Sequence, residues 1–128
     1  MEYKRGAIVR VEGTVFEDNG VTDLTGHPSM IPVATDPDSN MTYYVIITSQ
    51  IRKYNIYPDR YFDLRTDWQE AGLRKPSLIN LAYIYKARID TRPFGELNPN
   101  LYQSVISKLK TWQDQHPGKL YGELKPLI

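Results

Sequence analysis

The chain has 128 residues, 41% of them hydrophobic, with 16 bases, 15 acids and no cysteine. That is one domain of ordinary size, able to bury roughly two thirds of its unfolded surface, and it excludes a disulfide framework and thiolate metal or redox chemistry. Net charge of +1 is silent on polyanionic partners; the basic N-terminal residues lead into no apolar run and no stretch reaches membrane-spanning length, so a cytoplasmic protein with no membrane partner is expected.

Gly6 to Glu12 is β-rich and reads as a first strand, and Thr14-Val15-Phe16 either continues it or follows a bend at Gly13. Asp18-Asn19-Gly20 is a hairpin-turn signal, because Asn-Gly accepts positive φ at both central positions. A polar loop from Val21 to Ser29 closes on Gly26-His27-Pro28. Met30 to Ala34 follows as a short strand that Pro32 confines to an edge, an end or a bulge. Asp36 to Asn40 is a turn by its chemistry.

Tyr43 to Gln50 is the most continuous β-branched and aromatic run, apolar on both faces, and reads as the central strand. Its last residues, Thr48-Ser49-Gln50, carry two hydroxyls and an amide, which suits a strand surfacing into a polar site. The plainer alternative is that Thr48-Ser49 marks only the strand's stop.

Charge is uneven beyond this point. No Lys or Arg stands between Val11 and Ile51, whereas Arg52 to Arg92 holds Arg52, Lys53, Arg60, Arg65, Arg74, Lys75, Lys86, Arg88 and Arg92. Tyr54, Tyr57, Tyr61, Tyr83 and Tyr85 interleave with them, giving cations for phosphates and rings for bases. Solvated strand faces are the ordinary explanation of such a band.

Tyr57-Pro58-Asp59 reads as a turn, Tyr61 to Leu64 as a strand, and Asp67 to Gly72 as a turn or a single helical turn that Gly72 ends. Ser77 to Ile89 reads as two short strands or one bent strand. One helix follows from Pro99 to Gln115, capped by Asn98, with Leu101, Tyr102, Val105, Ile106, Leu109 and Trp112 at helical spacing. His116-Pro117-Gly118 terminates it, and Lys119 to Ile128 forms a packed extension or a mobile tail. Trp68 and Trp112 read as core or interface anchors. The expected fold is mainly β with a C-terminal α-helix, a small barrel or sandwich over residues 1–115 with an extension at 116–128.

In this order the chain resembles the PemK/MazF-type toxins of bacterial toxin–antitoxin systems, on four features. These are the strand Gly6 to Val11, the turn and strand Gly26-His27-Pro28-Ser29-Met30-Ile31, the strand end Ile46-Ile47-Thr48-Ser49-Gln50, and Lys75-Pro76-Ser77 with Gly95-Glu96-Leu97 ahead of the helix. The resemblance covers residues 5–113 and implies a small SH3-like β-barrel of the CcdB/PemK/MazF kind, usually a homodimer neutralised by a cognate antitoxin. It implies an endoribonuclease that cuts single-stranded RNA without a metal or cofactor, through attack of the ribose 2′-hydroxyl on the adjacent phosphate, leaving 2′,3′-cyclic phosphate and 5′-hydroxyl ends.

The family pattern carries an Arg in its Gly-x-Arg-Pro turn, and here Pro28 directly follows His27, so that Arg is missing. Thr48 matches the family hydroxyl. His27, the only histidine before the helix, is the candidate general acid or base, and Arg52 is a candidate for the missing charge, with Lys53 beside it. Ser29, Ser49, Gln50, Lys53, Tyr54, Lys75 and Ser77 are the candidate RNA-binding residues. Loss of the signature Arg leaves open a catalytically weak or inactive barrel that binds a protein or nucleic acid.

Overall fold

A computed structural model describes residues 3–15, 20, 22, 27–30 and 35–128. Within it the chain is organised on one strand, Thr42–Thr48 (β3), whose six residues from Thr42 to Ile47 are buried. Alternation sends Tyr43, Val45 and Ile47 into the main core, while Tyr44 and Ile46 enter a second cluster on the opposite face. A strand buried on both faces explains the unbroken apolar run.

The other strands are β1 (Ala7–Val11), β2 (His27–Met30), β4 (Tyr61–Leu64), β5 (Ser77–Asn80), β6 (Tyr85–Ala87) and β7 (Gly95–Glu96). All pairings are antiparallel, in the order β4-β5-β3-β2-β1-β7, with β6 also on β3. β5 and β6 behave as one bent strand. Ile47 stands opposite Ile79, so unbroken register would bring Tyr44 opposite Ala82; it meets Tyr85 instead, three residues later. That extra chain around Leu81 and Ile84 bends the edge, and the sheet curls into an antiparallel half-barrel with a helix, consistent with a small β-barrel.

The helix is α2 (Pro99–Gln115), bounded as its cap chemistry dictates: the Asn98 side-chain oxygen Oδ1 accepts the Leu101 N–H at 2.8 Å, and Pro99 opens the first turn. Tyr102, Val105, Ile106 and Leu109 pack into the main core with Ile8, Met30, Val45, Ile47, Leu64 and Ile79. Trp68 and Trp112 lie half-buried against it. His116 caps the C-terminus of α2 and stacks on Trp112, ring centroids 4.1 Å apart.

The last residues pack rather than trail. A short helix, α3 (Tyr121–Leu124), buries Tyr121 and Leu124 in the main core. Two polar clusters hold it: Tyr43 and Lys86 both donate to Glu123, at 3.1 and 2.7 Å, and Tyr121 and Lys125 both donate to Asp114, at 2.8 and 3.1 Å.

Two expectations change. A strand occupies His27–Met30, where a loop closing on Gly26-His27-Pro28 was read. Only Met30 of the strand expected at Met30 to Ala34 is described, and most of the Asp18-Asn19-Gly20 turn and Phe16 also lie outside the described residues. A short helix α1 (Lys53–Ile56) and a 3₁₀ turn at Pro58–Arg60 fill the segment after β3. Among the described residues no helix is long and apolar enough to cross a membrane.

Candidate functional site

A cleft of about 630 Å³ opens at the C-terminal end of β3. Ile47, Thr48, Ser49 and Gln50 form one wall, and β2 adds His27 and Pro28 from the strand paired beside it. Arg10 of β1 reaches the same space, as do Leu73, Arg74 and Lys75 from the segment before β5, and Phe94 from the segment before β7. Residues far apart in the chain meet here because antiparallel pairing brings the end of β3 beside the starts of β2 and β5.

Thr48 sits at the cleft wall, half-buried, opposite Leu78 in the ladder. Its hydroxyl oxygen accepts the Gln50 N–H at 3.2 Å, closing the turn in which Ile51 N–H also bonds the Ser49 carbonyl at 2.9 Å. A hydroxyl has one proton to give and two lone pairs. Using one lone pair on the turn fixes Thr48 in place and leaves its O–H to donate to a ligand oxygen. The strand-stop reading describes what is seen, and it does not conflict with a site there: the hydroxyl ends the strand and is positioned by doing so.

His27 is half-buried, across the β1–β2 ladder from Val11, and lines the cleft with Thr48. Ser29, two residues on, does not. It is fully buried, paired with Val9 on one side and Ile46 on the other, and its hydroxyl lies 3.3 Å from the His27 carbonyl as donor. Its expected role as an RNA contact is withdrawn, since a side chain sealed between two strands cannot reach a ligand. Ser77 does line the cleft; it is largely buried, and its hydroxyl donates to the Lys75 carbonyl at 2.8 Å, shaping the turn that presents Lys75.

The charge of the cleft comes from Arg10, Arg74 and Lys75, all exposed, with no carboxylate among its described lining residues. Arg52, the expected source of the missing charge, is not in the lining. It stands at the N-terminus of α1, whose Lys53 and Tyr54 are not in the lining either. Tyr54 is held between Arg65 and Lys108, whose charged groups lie 4.8 and 5.4 Å from its ring centroid. Arg52, Lys53 and Tyr54 are corrected accordingly: chain proximity to Gln50 did not mean shared space.

The other tyrosines of the basic band lie outside the cleft lining. Tyr57 and Tyr83 gather around Arg60, at 5.2 and 5.8 Å, Tyr61 is buried, and Tyr85 stacks on Tyr44 with centroids 5.6 Å apart.

Arg10, Arg74 and Phe94 were not singled out in the sequence. Arg10 carried a signal, as the one charged residue inside an otherwise apolar strand whose other positions are all buried. Arg74 adjoins Lys75-Pro76-Ser77. No group of three or more His, Asp or Glu side chains able to hold a metal occurs among the described residues. No protein-family model matches the chain, and no curated protein is significantly similar to it.

Proposed function

We propose that this chain is an endoribonuclease toxin of the PemK/MazF type, built on an SH3-like barrel, that cleaves single-stranded RNA in the cytoplasm and is neutralised by a cognate antitoxin. The observation that carries the reading is the convergence of Thr48, His27, Arg10, Arg74 and Lys75 on one cleft free of described carboxylates. In-line attack by the 2′-hydroxyl needs three things: a group to take its proton, a group to protonate the departing 5′-oxygen, and donors on the phosphorane.

His27 supplies an imidazole for one of the two proton transfers. Thr48 donates its O–H to a non-bridging phosphate oxygen. Arg10 provides the fork-shaped cation that the family draws from its turn, and Arg74 and Lys75 hold the flanking phosphates. Ser49 and Gln50, exposed at the rim, offer polar groups to base edges. A homodimer would set two such clefts in one particle.

The test is digestion of a long single-stranded RNA by the purified protein in EDTA, with both fragment ends characterised. Discrete cuts bearing 2′,3′-cyclic phosphate and 5′-hydroxyl ends support the reading. Intact RNA rejects it and returns the barrel to a binding module.

A further inference from the structure

Phe94 is a large apolar side chain left 44% exposed, and it is exposed inside the cleft. Among the cleft's described lining residues it is the only phenyl, indole or phenol ring. The backbone that carries it is firmly fixed. The Phe94 N–H bonds the Ile8 carbonyl at 3.0 Å, while Gly95 pairs with Ile8 and Glu96 with Ala7.

From the other side the chain is pinned by a close crossing. A Cβ at Gly95 would collide with the Ala71 carbonyl oxygen, and one at Gly72, where φ is +86°, would come within 3.0 Å of the Phe94 carbonyl oxygen. Glu96 N–H completes the crossing by bonding the Ala71 carbonyl at 3.1 Å. Two glycines thus allow two segments to lock together, and the product is an exposed ring on a rigid mount. Burial does not account for the ring, since it belongs to neither core cluster.

Its surroundings specify a ligand. The Arg10 guanidinium lies over the ring, 5.8 Å from its centroid, and Arg74 and Lys75 line the same cleft. An aromatic platform with cations around it and no described carboxylate fits a ligand that is planar in one part and anionic in the next. That is a nucleotide of a single strand: base on the ring, phosphate on the guanidinium. We propose that Phe94 is a nucleobase-stacking subsite of the cleft, holding the base of a nucleotide whose phosphate meets Arg10. This rests on the ribonuclease reading and adds to it the place where one base is gripped.

The experiment measures binding of the wild-type protein to a short fluorescein-labelled 2′-O-methyl RNA, which lacks the attacking hydroxyl and stays intact. It is repeated with a series in which each base in turn is replaced by an abasic sugar. Stacking on an aromatic ring is worth about 1–3 kcal/mol per base, so Phe94→Ala should weaken binding roughly 5- to 150-fold. Phe94→Leu, which keeps apolar bulk without a π-face, should weaken it similarly, and Phe94→Trp should retain it.

One abasic position should cost the wild type affinity and cost Phe94→Ala nothing further; a merely structural role for Phe94 would not produce that cancellation. Equal affinity of wild type, Phe94→Ala and Phe94→Leu, abasic penalties that persist in Phe94→Ala, or no RNA binding at all would overturn the subsite. Since the probe cannot be cut, the two readings fail separately. Phe94-dependent binding by a protein that cleaves no RNA sinks the nuclease alone, and cleavage with Phe94-independent binding sinks the subsite alone.

Discussion

Arg10 stands directly across the β1–β2 ladder from Pro28. Next to it, Val11 stands across from His27. The resembled family carries its arginine immediately before this proline; here the neighbouring strand presents one beside it. On the proposed reading, Arg10 stands where it can take the role of that arginine.

Arg10→Ala should therefore lower RNA cleavage substantially. A charge-assisted hydrogen bond to phosphate contributes about 1.5–3 kcal/mol, or roughly 10- to 150-fold in rate if it acts in the transition state. Initial rates on a short RNA measure this. Arg10→Lys should recover part of the loss, because the charge remains and the fork does not. An unchanged rate in Arg10→Ala would assign the cation elsewhere.

His27→Ala should slow cleavage by about 10²-fold or more if the imidazole moves a proton. His27→Arg separates proton transfer from charge. It supplies a cation but not a ring nitrogen that can both take and give a proton, so the rate should stay low. Full activity in His27→Arg would mean that the position needs only a cation.

Gln113 makes buried polar contacts. Fully buried, it donates to the Leu81 and Ala82 carbonyls at 2.8 and 3.2 Å and accepts the Gly118 N–H at 2.9 Å, tying α2 to the bend between β5 and β6 and to the C-terminal segment. Gln113→Leu strips two buried carbonyls and one part-buried N–H of their partners and should cost about 3 kcal/mol in denaturant unfolding. Asp114→Asn, on the exposed side of the same turn, should cost less.

Acid should loosen the C-terminal segment. Hydrogen bonds from Lys86 first, then Tyr43, hold the Glu123 carboxyl below the usual glutamate range, and those from Tyr121 and Lys125 do the same for Asp114. A depressed folded-state pKa means stability that is present above the unfolded value and lost as pH falls through the folded one. The melting temperature should hold from neutrality down to about pH 5 and fall below about pH 4. Glu123→Gln should make that fall shallower; an unchanged slope would show that Glu123 does not contribute.

What the sequence carried about the fold was mostly local. Asn98 and Pro99 set the start of α2 through capping chemistry, and the apolar spacing to Trp112 set its face, so the bounds Pro99 to Gln115 were readable. β3 was readable because burial on both faces leaves an unbroken apolar run. β2 was not, because Gly26-His27-Pro28 looks like punctuation. Pro28 is tolerated since it pairs only with Arg10, beyond the Ser29–Met30 stretch where β2 also bonds β3.

The candidate site was legible at the end of β3, at His27 and at Lys75 with its neighbour Arg74, but Arg10 and Phe94 enter through strand register and a glycine crossing, which no linear spacing reveals. Arg52 failed for the complementary reason: the turn after Gln50 and the short helix α1 redirect the chain within a few residues.

The most direct measurement is digestion of one long single-stranded RNA, in EDTA, by wild type and by Thr48→Ala, with fragment ends mapped and both proteins' melting temperatures recorded. In the proposed reaction Thr48 donates where charge develops on the phosphorane, so discrete wild-type cuts should fall about 10²- to 10³-fold in the variant while the fold remains intact. Equal cleavage by the two proteins, or none by either, would contradict a ribonuclease site at the end of β3.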